Sequence, residues 1–93
     1  MPAGIINVVV TFTSNYEGCH RLFWKRVGGS LNGPVYALPE CTGKGNPCSI
    51  NFYDEVDEVC EPVTYQGYTQ ACCEDEDSAN GRVSWTVEYI PEC

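Results

Sequence analysis

The chain has 93 residues, thirteen acidic side chains against five basic ones, a formal net charge of −8 and seven cysteines. A surplus of that sign disfavours nucleic acid and anionic membranes as partners, since their phosphates repel it. The length sets a single domain, residues 1–93, burying about two thirds of its unfolded surface, so covalent crosslinks matter beside a modest core.

The charge is divided unevenly. Residues 1–46 carry Arg21, Lys25, Arg26 and Lys44 against Glu17 and Glu40, whereas residues 47–93 carry Arg82 against eleven carboxylates. Such polarity can orient like subunits head to tail, or simply mark solvated acidic loops.

Alternation of apolar and polar residues dominates, and no stretch holds a 3.6-residue apolar period for three turns, so the chain reads as all-β. Met1-Pro-Ala-Gly shows none of the basic start, continuous apolar stretch and cleavage site of a secretory leader. The apolar run that follows is too short to cross a bilayer. A first strand is predicted over Ile5–Thr13, with Ile6, Val8, Val10 and Phe12 on one face. The turn Ser14–Gly18 leads to a second strand, Cys19–Val27, with Leu22 and Trp24 on one face and Arg21, Phe23 and Lys25 on the other. Gly28–Pro34 then reverses the chain into Val35–Leu38 as a hairpin. Ser49–Tyr53 is the next strand, with Ile50 and Phe52 inward, followed by the acidic run Asp54–Glu58. Val63–Cys73 and Gly81–Ile90 form a last hairpin around the polar loop Glu74–Asn80, with Val83, Trp85, Val87 and Tyr89 sharing one face. About six strands at these turn spacings predict a small antiparallel two-sheet sandwich. The expected core is Val8, Val10, Phe12, Leu22, Trp24, Ile50, Phe52, Val83, Trp85 and Val87.

The succession Val-Thr-Phe-Thr, Cys-His-Arg-Leu-Phe-Trp-Lys-Arg, Tyr-Gln-Gly-Tyr-Thr-Gln-Ala-Cys and Gly-Arg-Val-Ser-Trp-Thr-Val-Glu-Tyr resembles a fibronectin type III or immunoglobulin-like domain without its usual first strand. More narrowly, it is similar to small all-β modules in the tails and capsids of tailed bacteriophages. The resemblance covers about Ile5 to Ile90 and implies that Tyr65 leads the inward series Gly67, Thr69, Ala71, Cys73. Gly67 and Thr69 replace the bulky aliphatics of such domains, so a register shifted by a bulge is one expectation.

Seven cysteines cannot all pair within one chain, and on the order of a hundred arrangements are open. Only six polar or small residues separate Cys41 from Cys48, so a local disulfide there is geometrically easy. If Cys41 pairs with Cys48 and Cys60 with Cys73, then Cys19, Cys72 and Cys93 remain for packing or linkage. Alternation sends Cys72 outward when Cys73 faces the core, and Cys93 ends the chain where a neighbour can reach it. Cys72 and Cys93, with Cys19 third, are therefore the candidates for disulfides between chains. A vicinal Cys72–Cys73 bond is the competing arrangement.

No cofactor is expected. The cysteines are spaced 22, 7, 12, 12, 1 and 20 residues apart, with His20 the one histidine, which fits poorly the paired short spacings of zinc sites. The acidic runs Asp54–Glu58 and Glu74–Asp77 lack the glycine and closing glutamate of a calcium loop. Nucleophilic catalysis would have to use His20, which is expected at a surface or edge. The same basic strand offers Arg21, Lys25 and Arg26 as contacts for an acidic partner. The expectation is a non-enzymatic structural protein of a phage virion, assembling with other virion proteins and copies of itself. The alternative is an extracellular adhesion or carbohydrate-binding module using Tyr16, Tyr36 and Tyr68.

Overall fold

The alternation is realised almost residue by residue in a computed structural model, which describes residues 3–27, 35–38, 41, 44–72 and 79–93. Six strands form: β1 (Gly4–Phe12), β2 (His20–Val27), β3 (Tyr36–Ala37), β4 (Cys48–Val56), β5 (Val63–Ala71) and β6 (Val83–Tyr89). No helix occurs among the described residues. β1 pairs with β4 in a two-stranded sheet, and the order β3-β2-β5-β6 makes a four-stranded one, all antiparallel. The chain is thus the two-sheet sandwich that its pattern predicts.

The inner faces meet in one core. In β1, Ile6, Val8, Val10 and Phe12 are buried while the residues between them are exposed. Phe52 on β4 joins the sheets: its ring stacks on Trp24 at 4.4 Å and lies edge-on to Tyr65 at 5.4 Å, with Trp85 at 5.9 Å. Of the expected core, Val83 and Val87 are only half-buried, because β6 is the edge of its sheet. Ile6, Cys48, Val56, Tyr65 and Ala71 join the core instead.

Three expectations about the strands need correction. The acidic run does not begin a loop: β4 continues through Val56, and Asp54 is inward and 4 % exposed. No bulge shifts β5, since its pairing runs unbroken against both β2 and β6. Glycine is required at position 67 because an added Cβ would collide with the Phe23 carbonyl and with Trp85, which covers Gly67 from the neighbouring strand. Thr69 fits an apolar position by donating its hydroxyl to the Gly81 carbonyl at 2.7 Å. His20 is no surface residue; it is fully buried between the rings of Phe12 and Tyr16.

The disulfides also differ from the expected pairs. They are Cys41–Cys72 and Cys60–Cys93, each closing a separation of just over thirty residues (31 and 33). Cys41–Cys48 is ruled out by alternation, which turns Cys48 inward opposite Phe12 at 2 % exposure, with a free thiol. Cys60 takes the chain end rather than Cys73, which lies outside the described residues. Cys72 and Cys93, expected to link chains, are therefore consumed within their own chain. Of those three candidates Cys19 alone keeps a thiol. The bridges flank β5, one before its first residue and one after its last, so they clamp opposite ends of the sandwich. Each constrains the unfolded chain by about 3–4 kcal/mol on a loop-entropy account.

Candidate functional site

β2, β5 and β6 turn Phe23, Lys25, Gln66, Tyr68, Ser84 and Thr86 toward the outside of the four-stranded sheet. With Val35 they line an open groove of about 530 Å³. The register places Phe23 directly opposite Tyr68, and their rings stack at 4.7 Å with only 15° between planes. The Arg82 guanidinium stands 5.4 Å from the Tyr68 ring centroid, within cation–π range. Its Nε and Nη2 also donate to Gln70 Oε1 at 3.1 and 2.7 Å. An aromatic floor flanked by a lysine, an amide and two hydroxyls can bind a ligand with one apolar face and several hydroxyl or carbonyl groups.

A second exposed surface lies on the other sheet. The outer face of β1 and β4 carries Ile5, Val9 and Tyr53 at 63, 49 and 65 % exposure. Asn7 stands opposite Tyr53, Val9 opposite Asn51 and Ile5 opposite Glu55, so the apolar side chains interleave with amides and one carboxylate. β1, Gly4–Phe12, holds no charged residue at all. Among the described residues its only ladder partner is β4. An uncharged edge of that length lacks the lysines and prolines that ordinarily discourage strand addition.

Of the three basic residues expected to meet a partner, the structure splits the set. Arg21 is exposed and Lys25 lines the groove. Arg26 turns to the inner side and grips Asp54 with two guanidinium nitrogens, Nη2 to Oδ1 at 2.7 Å and Nε to Oδ2 at 2.8 Å. The Tyr65 hydroxyl donates to the same Oδ2 at 2.7 Å. Asp54 is buried at the cost of desolvation, offset by this fork and hydroxyl. The hydrogen bond to Asp54 holds the Arg26 guanidinium charged, above its ordinary pKa, against the opposing effect of burial. Burial first, and then the hydrogen bond to Asp54, push the Tyr65 phenol well above the usual tyrosine range. The triad is therefore an internal clamp between β2, β4 and β5.

His20 Nε2 lies 2.8 Å from Ser14 Oγ, a distance that would suit a nucleophile and its base. The same hydroxyl donates to the Tyr16 carbonyl at 2.8 Å and accepts from the Tyr16 amide at 3.1 Å, closing a local turn. With the imidazole fully buried, the pair holds the β1–β2 connection in place. Among the described residues no group of three or more His, Cys, Asp or Glu side chains is placed to hold a metal ion. Glu74–Asp77 lies outside them.

Tyr16, Tyr36 and Tyr68 do not converge. Tyr16 packs on His20 at one end, Tyr36 lies against Trp24 on the β3 edge, and Tyr68 faces the groove. Phe23, which completes the aromatic floor, stands in the sequence on the same strand face as Lys25, but its partner on β5 is fixed only by register. Asp54 was legible only as one acid among five residues, Asp54–Glu58. The chain matches no family model, no curated protein and no solved structure.

Proposed function

We propose that this chain is a non-enzymatic structural module of a virion, of the kind borne by the tails or capsids of tailed phages, and that it assembles through the outer face of β1 and β4. The observation that carries this reading is the exposure of Ile5, Val9 and Tyr53 on a sheet whose β1 strand is free of charge. A chain of net charge −8 repels its copies over most of its surface, and this largely apolar face carries a single charged side chain, Glu55 opposite Ile5, so contact costs least there. The internal disulfides support a particle component by holding the domain together without a large core.

The test is a Val9→Lys, Tyr53→Lys double variant. Both positions point to solvent, so folding should be preserved while incorporation into the assembled particle is lost. Incorporation at the wild-type level contradicts the proposal.

The Phe23–Tyr68 stack favours a second reading, an extracellular carbohydrate-binding module, since a flat aromatic floor with flanking hydrogen-bonding groups suits a sugar ring. Glycan-array binding that disappears in Phe23→Ala, with Val9→Lys, Tyr53→Lys binding normally, would select it over the assembly reading.

A further inference from the structure

Among the described residues, four sulfurs collect at the end of the sandwich where β1 finishes and β2 and β4 begin. Cys41 and Cys72 are bonded, whereas Cys19 and Cys48 are free. Cys48 is buried opposite Phe12. Its thiol is pushed up from its ordinary pKa by that burial, with a smaller contribution from Cys19. It is a spectator. Cys19 is half-exposed and stands just before β2.

The pairing of His20 with Ala71 ends the β2–β5 ladder. One step beyond, the Cys72 N–H donates to the Cys19 carbonyl at 3.0 Å, which continues the same register and sets Cys19 opposite Cys72. Opposed residues of an antiparallel pair project from the same face, with Cα atoms about 4.5–5.5 Å apart, inside the range that a disulfide spans. Among the described residues, the Cys72 sulfur therefore has two neighbours within bonding reach: Cys41, its present partner with Cα atoms 5.8 Å apart, and the thiol of Cys19.

We propose that Cys19 is a resident exchange nucleophile for the Cys41–Cys72 disulfide. The Cys19 thiol loses its proton to solvent, and the thiolate attacks Cys72 Sγ. The Cys19–Cys72 bond forms as the Cys41–Cys72 bond breaks. Cys41 leaves as a thiolate and takes up one proton, so atoms and electrons balance with no outside oxidant or reductant. The step moves the thiol from the start of β2 to Cys41, in the connection between β3 and β4. One disulfide is thereby shared among three sulfurs at this end, whereas Cys60–Cys93 at the opposite end flanks a strand with no third sulfur opposed to it among the described residues.

A Cys41→Ser variant folded in a glutathione redox buffer, whose oxidised glutathione takes up the two electrons, tests whether Cys19 reaches Cys72. After alkylation at neutral pH and acid quenching, non-reducing peptide mapping should find Cys19 bonded to Cys72, with Cys19 gone from the alkylated pool. Cys72 alkylated, or bonded to any other sulfur including Cys73, overturns the proposal. Should the variant fail to fold, the wild-type chain decides the matter: reduced, refolded in a glutathione buffer and quenched over time, it should show a Cys19–Cys72 peptide that rises and then yields to Cys41–Cys72. Absence of that peptide at every time overturns the proposal in the same way.

Discussion

The two sheets share one inner rule and differ outside. On the β1–β4 sheet the large outward apolar residues Ile5, Val9 and Tyr53 are exposed to water. On the β3-β2-β5-β6 sheet the outward Phe23, Lys25, Gln66 and Tyr68 are half-buried. Width explains the difference: in a four-stranded sheet a central side chain has cross-strand neighbours on both sides, as Phe23 has Tyr68 and Ala37, whereas a two-stranded sheet offers only one. A narrow sheet thus leaves apolar area for a partner to cover, while a broad one partly covers its own.

The largest effect is expected where the sheets touch. Phe52→Ala removes the ring that meets Trp24, Tyr65 and Trp85, and should cost about 3–5 kcal/mol in denaturant unfolding. A loss below about 1 kcal/mol would mean that the sheets are held by something other than this aromatic junction.

Next comes a contrast between sequence neighbours. Asp54→Ala leaves the Tyr65 hydroxyl buried without its acceptor and should cost about 2–3 kcal/mol. Tyr53→Ala, one residue earlier on the exposed face, should change stability by no more than about 0.5 kcal/mol. Equal costs at the two positions, measured by urea titration, would erase the distinction between inner and outer faces.

Alkaline pH probes the same clamp. Tyr65 has a folded pKa raised above its unfolded value, so its neutral form is favoured by folding and stability is present in full below about pH 10. Above that, the unfolded chain releases the phenolic proton more readily and stability should fall. Cys48, raised chiefly by burial, adds an earlier decline beginning near about pH 8.5–9. Melting temperatures across this range should fall in wild type, and Cys48→Ala should remove the earlier part of the decline. A profile identical in the two proteins would contradict that assignment.

Much of this was legible in the chain. Period-two alternation gave six strands, the two-sheet arrangement and inward positions such as Val8, Leu22, Trp24, Ile50 and Phe52, because each strand has only two faces. Alternation carries no information about which strands meet. The Phe23–Tyr68 stack, the Asp54–Arg26–Tyr65 clamp and the Cys41–Cys72 and Cys60–Cys93 pairs all join residues from strands or connections distant in sequence. Asp54 misled for a second reason: a carboxylate reads as solvated unless its cation is known, and that cation lies 28 residues away.

An effect between those of the inner face and the exposed β1–β4 face is expected in the groove. Phe23→Ala gives up the stacked pair and should cost about 0.5–1.5 kcal/mol beyond the buried area it loses. A cost no greater than that of Tyr53→Ala would show that Phe23 gains nothing from its place on the broader sheet.

The most direct test of the proposed assembly through β1 and β4 is hydroxyl-radical footprinting, comparing Tyr53 with Tyr68 in the free chain and in the assembled particle. Protection of Tyr53 on assembly, with Tyr68 unchanged, is the predicted result. Protection of Tyr68 with Tyr53 as reactive as in the free chain would contradict it and place the working surface on the four-stranded sheet.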